Sequence, residues 1–391
     1  MQDSVSHPSH NAKRETLALR SYSFITYSTQ ALVVSFLPLF FLDKGYNASQ
    51  IGFLYSIGPM IAIFANMFTG FISDKNQTIV KLVRILFIFQ FIAIGLLHQV
   101  DSFSITCFIM TLFYFCQTPI NPLNDSLILL SSKYTGTPYA LVRIFGSLGF
   151  ALSAYSFGLI LKAVGTGHTL NLLLITIAAS IIGTLFIKDY YGSSKKFDFS
   201  GLVTIIKQPK VVYFFILLFF ISTAHRMYEG FLAITLRQIG ASDSFVGLAW
   251  LISAMSEIPV LFLLGKYGHK FKEIPLIIFA SIMYALRMFL LSSITEPQWV
   301  VVTQLMHSIT FGIYFTTALR YMSRLLPDQY RASGQAIFTI VWMGIAGSMS
   351  GLVGGQIYAS FGHQLFYQIA TAFAIVGAIG FFLYNIKYAE S

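Results

Sequence analysis

Residues 211–236 read VVYFFILLFFISTAHRMYEGFLAITL, an apolar run long enough to cross a bilayer that holds His225, Arg226 and Glu229 at its centre. On insertion scales an ionised group at that depth costs about 2.5–3.5 kcal/mol, so it persists where it is paired and faces the protein interior. This run therefore reads as a membrane helix with a buried polar face. Composition supports that reading: 56% of the 391 residues are hydrophobic, 10% are charged and the mean hydropathy is +0.72. An ordinary soluble domain is about a quarter charged.

At about 20 apolar residues per crossing, twelve runs qualify: 19–42, 51–73, 79–99, 103–130, 139–163, 168–187, 211–236, 245–265, 274–293, 298–325, 333–358 and 363–386. None alternates with the period of two that barrel strands need, so the spans are helices. The first 17 residues are polar and no small-residue cleavage site follows the first run, which predicts an uncleaved first span behind a mobile tail. The net charge is +10, and its distribution points to orientation rather than to nucleic acid. Lys44, Lys162 and Arg237 fall on one side, and Arg143, Arg226 and Arg287 lie inside spans. All other Lys and Arg fall on the side of the termini, which the positive-inside rule places in the cytoplasm. Cys107 and Cys116 share a helix too far apart for a disulfide and read as packing residues.

Slid against itself, the chain matches GYNASQIGFL (45–54) to GASDSFVGLA (240–249) at an offset of 195 residues. The same offset pairs Gly70 with Gly265, Gly149 with Gly344, and Gly167-His168 with Gly362-His363. A constant offset of half the chain predicts two parallel six-helix halves. Their expected boundaries are a tail at 1–17, an N-terminal half at 18–187, a linker at 188–210 and a C-terminal half at 211–391. The linker's apolar face and lysines suit a helix lying on the inner leaflet.

Inside the spans stand three acids, Asp125, Glu229 and Glu257, and three bases, Arg143, Arg226 and Arg287, with His225 and His307 nearby. Depth counting at about 1.5 Å per residue puts Asp125 and Arg143 at similar depth in neighbouring spans. Arg226 and Glu229, three apart, share a face of span seven with His225. A pair that only locks two helices together is the competing reading for each. Taken together they favour a path for solute and ion. Gly347, Gly351 and Gly355, four apart, read as helix-packing positions. No HExxH, paired-aspartate or GxSxG motif marks a membrane enzyme.

At these residues the chain resembles the lactose permease and phenylpropionate permease branch of the major facilitator superfamily. The matching segments are PINPLNDSLI (119–128), VRIFGSLGFA (142–151), SEIPVLFLLGKYG (256–268), YALRMFL (284–290) and TQLMHSITF (303–311). The stretch GFISDKNQTIVKLVR (70–84) is similar to the family's loop signature, with Gly70, Asp74 and Lys75 as a conformational latch. Its repeat copy GKYGHKF (265–271) has His269 where the acid stands. The resemblance implies the all-α major facilitator fold with twelve transmembrane helices. It also implies a monomer in the bacterial inner membrane that binds a small organic solute and protons, with no resident cofactor and no metal.

Carried over by position, the substrate residues are Asp125, Arg143, the stacking aromatic Phe150, Glu257 and His307, and the coupling residues are Glu257, Arg287, His307 and Glu229. Two departures matter. Gln304 stands in place of a lysine, and Thr310 in place of the carboxylate that carries the proton in lactose permease. Burial favours a neutral carboxyl and a nearby arginine an ionised one, so the expected proton carrier is Glu257, controlled by Arg287. The expected function is proton-coupled uptake of an aromatic monocarboxylate, a sugar or a nucleoside, with an exporter of the same fold as the alternative.

Overall fold

The Gly45 and Gly240 turns, 195 residues apart, have the same backbone. Both glycines are left-handed, at φ 93° and 87°, a conformation that costs an L side chain and not glycine. Gly45 N–H donates to Leu42 O at 3.0 Å and Tyr46 N–H to Phe41 O at 3.0 Å. Gly240 N–H donates to Arg237 O at 3.1 Å and Ala241 N–H to Leu236 O at 2.9 Å, residue for residue the same closure. The helices on either side end at Asp43 and Gln238 and restart at Ala48 and Asp243. The sequence repeat is thus a structural repeat.

The computed structural model describes residues 10–190, 208–326 and 331–388. Among them there are helices and no strands. Ten helical segments are long and apolar enough to cross a membrane, which differs from the twelve expected runs for two local reasons. Span ten is not among the ten because Gln304, His307, Ser308 and Thr310 lower its mean hydropathy; it runs from Pro297–Thr303 through a 3-10 turn at Gln304–Met306 and a π-helix at Ser308–Ile313 to Tyr314–Leu325. Spans eleven and twelve run together through Ala346–Tyr388, with Gly362 at φ 75°, ψ −178° as the non-helical residue between them. The protein is an integral membrane protein with all twelve spans accounted for.

The first helix begins at His10, inside the segment expected as a tail. Residues 1–9, and 191–207 of the expected linker helix, lie outside the described residues.

The chain divides into two compact units. One contains residues up to 33, 61–154 and 167–194, and the other 34–60, 155–166 and 195 onward. In the first unit, glycines admit close helix contacts: a Cβ on Gly149 would lie 2.8 Å from Phe24 Cα, so spans five and one touch backbone to backbone. Lipid is as apolar as leucine, so such contacts gain dispersion rather than hydrophobic energy. Ser153 donates to Ser28 Oγ at 2.7 Å and Tyr22 to Asn124 Oδ1 at 2.7 Å, fixing spans five and four to span one.

The second unit joins the Gly45 turn and its flanking helices to the C-terminal spans. A Cβ on Gly52 would meet Gly355 Cα at 2.8 Å, and one on Gly347 would meet the Pro59 ring at 2.8 Å. The Gly347, Gly351 and Gly355 stripe therefore packs against span two. Beside it, Arg237 Nη2 donates to Asp243 Oδ1 at 2.5 Å and lies 3.8 Å from Asp43 Oδ2, which also accepts from the Thr166 hydroxyl.

Candidate functional site

In the first unit the polar site is built on spans four and five. Span four breaks between Gln117 and Ile120, where Pro119 has no N–H to donate, and Asp125 stands on the helix after the break. Arg143 Nε lies 3.2 Å from Asp125 Oδ1, and Tyr139 donates to the same oxygen at 3.0 Å. The guanidinium carbon sits 4.4 Å from the centre of the Tyr27 ring. Gly146 leaves room for that stack, since a Cβ there would lie 2.7 Å from the ring and 3.0 Å from Arg143 Nη1. Tyr27 of span one is thus an aromatic over Arg143 that sequence reasoning missed; the expected one, Phe150, is half-buried on span five. No spacing in the sequence ties Tyr27 to Arg143, because they come from distant spans.

Asp74 and Lys75 are exposed on the last turn of span two, which stays helical to Asn76. Asp74 has no hydrogen bond or ion pair among the described residues, and an acid at a helix C-terminus cannot cap it. A Cβ on Gly70 would meet nothing within 4 Å. The acid at the start of span three is Asp189 instead: its Oδ1 accepts Ile79 N–H at 2.8 Å and Val80 N–H at 3.1 Å, and its Oδ2 accepts the Thr78 hydroxyl. In the second unit Glu273, at the start of span nine, takes Arg320 Nε at 3.1 Å and Arg324 Nη1 at 2.6 Å. Sequence reasoning passed over both acids because they sit outside the matched signature.

The larger cluster belongs to the second unit. On span seven (Pro209–Gln238) Arg226 Nη1 donates to Glu229 Oε2 and Arg226 Nε to the Trp342 carbonyl at 3.3 Å. Trp342 lies in the π-helix Ile340–Ile345 of span eleven. A π turn leaves backbone carbonyls less regularly paired than an α turn and recurs at functional sites. His225 is buried, with Nδ1 3.1 Å from the Tyr284 hydroxyl and Nε2 3.8 Å from Glu229 Oε2. Phe311 stacks on His225 at 5.0 Å and on His307 at 5.2 Å.

Glu257 stands on span eight two residues before Pro259, which frees the Met255 carbonyl and bends the helix there. Its carboxylate lies 2.8 Å from His307 Nε2, and Arg287, expected to control it, is reached through that ring. Arg287 is fully buried with its face 4.1 Å over the Tyr228 ring. It donates to His307 Nδ1 at 3.1 Å, Thr310 Oγ1 at 3.1 Å and Gln304 Oε1 at 2.7 Å. An arginine offers donors only, so His307 Nδ1 accepts and the proton of the neutral ring sits on Nε2, donated to Glu257. Acid and arginine are thus joined through a neutral imidazole. His225, Arg226, Glu229, Glu257, Arg287 and His307 share this cluster, and Tyr228, Ser253, Tyr284 and Gln304, polar but uncharged, complete its bonding. Only Gln304 had a signal in the sequence, as a departure from the family pattern.

The two acids of this cluster remain reachable: Glu229 is 28% and Glu257 22% exposed, against 0% for Arg287. For Arg226 and Glu229, removal of one partner strands the other's charge, and the cost of an unpaired charged group is on the order of 1–3 kcal/mol. Glu229→Gln is therefore expected to lower the melting temperature and transport more than Arg226→Met combined with Glu229→Gln. A double variant as impaired as the worse single would count against the pairing.

Residues 16–369 match the profile of the MFS_1 like family. The maltose permease of Geobacillus stearothermophilus is 24% identical over 374 residues, 94% of each chain. A probable 3-phenylpropionic acid transporter of Escherichia coli K12 is 24% identical over 256 residues, 65% of this chain and 67% of that one. Among solved structures, that of the nucleoside transporter NupG superposes with a TM-score of 0.83 at 16% identity, covering 94% of this chain and 98% of the other, and shows the same fold. These relatives are transporters, not enzymes.

Proposed function

The chain belongs to the MFS_1 like family, and from that premise we propose that it is a secondary transporter coupling proton entry to uptake of a small, uncharged, hydroxylated solute such as a sugar or nucleoside. The observation that carries the substrate class is the pairing of its arginines. Arg143 is neutralised by Asp125 and Arg226 by Glu229. Arg287 is buried behind Gln304, Thr310 and His307. Among the described residues, none of these three intramembrane arginines is left to balance a substrate carboxylate, and Glu229 and Glu257 repel one. Carboxylates and a guanidinium fork suit hydroxyl groups, which both donate and accept. A maltose permease is among the similar proteins at the same 24% identity as the probable 3-phenylpropionic acid transporter, so the arginine pairing is what favours this class.

Glu257 carries the coupling proton in this reading, His307 links it to Arg287, and both termini face the cytoplasm. The test is uptake into proteoliposomes under an imposed inward proton gradient, against sugars, nucleosides and aromatic acids. Gradient-dependent accumulation of a sugar or nucleoside is expected. Accumulation of an aromatic acid alone would sink the substrate class, and outward pumping alone would favour an exporter.

Arg143→Lys keeps the charge and loses the planar fork. With the Arg143 side on Asp125, the remaining donors serve the substrate, and a hydrogen bond to a charged group is worth about 1.5–3 kcal/mol. The apparent KM is expected to rise about tenfold or more with the protein normally folded. An unchanged KM would leave this pair a helix lock.

A further inference from the structure

Gln304 occupies a place where a carboxylate would fit. Its Oε1 accepts Arg287 Nη2 at 2.7 Å, Ser253 Oγ at 3.0 Å and the Tyr228 hydroxyl. Its Nε2 donates to the Val300 carbonyl at 2.8 Å, and because Arg287 has only donors, the amide's orientation is determined. A carbonyl oxygen has two lone pairs, so three donors, one of them charged, converge on an acceptor that has no charge. Gln304 and Arg287 are both fully buried. Among the described residues no carboxylate lies within ion-pair distance of Arg287. The nearest route to one runs from Arg287 Nη1 through His307 to Glu257.

We infer that Gln304 reserves Arg287 for the proton relay by being uncharged: the guanidinium, already stacked on Tyr228 and bonded to His307 and Thr310, is left with Glu257, through His307, as the acid that balances it. This rests on Glu257 as the proton carrier. The charged and titratable groups around Glu257 are His307 on span ten, Arg287 and Tyr284 on span nine, and His225, Arg226, Tyr228 and Glu229 on span seven. Arg226 and Glu229 neutralise each other and His225 is held by Tyr284. The charge balance of Glu257 therefore depends on Arg287. A direct carboxylate on Arg287 would take that balance away, and Glu257 would keep its proton throughout the cycle.

Gln304→Glu makes this change with almost no change in volume and with all three donors already in position. Gln304→Met keeps the length, adds no charge and offers only a weak acceptor. A purely structural role ranks Glu above Met, since Glu preserves the hydrogen bonds. The relay ranks Met above Glu. The substrate-independent readout is carbodiimide labelling of Glu257, which requires the protonated carboxyl, followed by mass spectrometry in the buffer of the uptake assay. Wild type and Gln304→Met are expected to label to the same extent, and Gln304→Glu more heavily. With labelled uridine or maltose in proteoliposomes, the accumulation ratio of Gln304→Glu is expected to fall to unity while counterflow exchange continues.

A folded Gln304→Glu with the wild-type extent of labelling and accumulation would overturn the inference. If Gln304→Glu does not assemble, a Gln304→Met protein that is folded and fully uncoupled overturns it, and one that still accumulates supports it. Wild-type accumulation by Glu257→Gln would instead overturn the coupling assignment, so the two failures are distinguishable.

Discussion

Glu257→Gln is expected to bring the accumulation ratio to unity while exchange of solute across the membrane continues. One charge moving through about 100 mV supplies about 2.3 kcal/mol, roughly a fifty-fold gradient, and that is the size of the effect. The amide keeps the size of the side chain and still accepts the His307 Nε2 proton, bonded at 2.8 Å in the native protein, so the helix contacts survive. What is lost is the exchange of a charge: Glu257 alternates between balancing Arg287 through His307 and carrying a proton, and glutamine does neither. Exchange by the variant is expected to become independent of pH. Proton-driven accumulation at the wild-type level would remove Glu257 from the coupling role and shift it to Glu229, the other reachable acid of the cluster.

Gly52→Val is expected to lower the melting temperature and abolish uptake. Its Cβ would lie 2.8 Å from Gly355 Cα and 3.2 Å from Phe231 Cζ, and the first of these is backbone that cannot rotate away. Overpacking of this kind costs about 1–3 kcal/mol, and a β-branched side chain adds two methyl groups to the clash. Gly70→Ala is the internal control: nothing lies within 4 Å of its Cβ, and alanine in a helix is favoured over glycine by about 0.5–1 kcal/mol. Equal melting temperatures for Gly52→Val and wild type would mean that spans two and eleven are not held by this contact.

The number of spans and the repeat were legible in the chain because both depend on local composition. A bilayer requires each crossing to satisfy its own backbone hydrogen bonds, so a run of apolar residues implies a helix without reference to any other part of the protein. Gly45 and Gly240 were legible as a repeat between runs, and that both are left-handed turn positions, which glycine fills at no steric cost, came from the backbone. The π-helix of span ten was not legible, since a π turn at Ser308–Ile313 has no fixed residue code and depends on what packs against it.

For the site, hydropathy identified the charged residues, because any ionisable group within a span stands out against its surroundings. Their partners were decided only by packing. Arg226 and Glu229 pair within one helix turn, so spacing was enough to join them. Arg287 was expected to control Glu257, with His307 as relay or substrate ligand, and the fold places His307 between the two. Tyr27, which no spacing pointed to, covers Arg143 because Gly146 opens span five toward span one. A one-dimensional pattern records which side chains carry charge and their phase on a helix. Which helix each face meets, and which neutral oxygen or ring completes the hydrogen bonds, arises only when several spans close together, as Gln304 shows by holding Arg287 with no charge of its own.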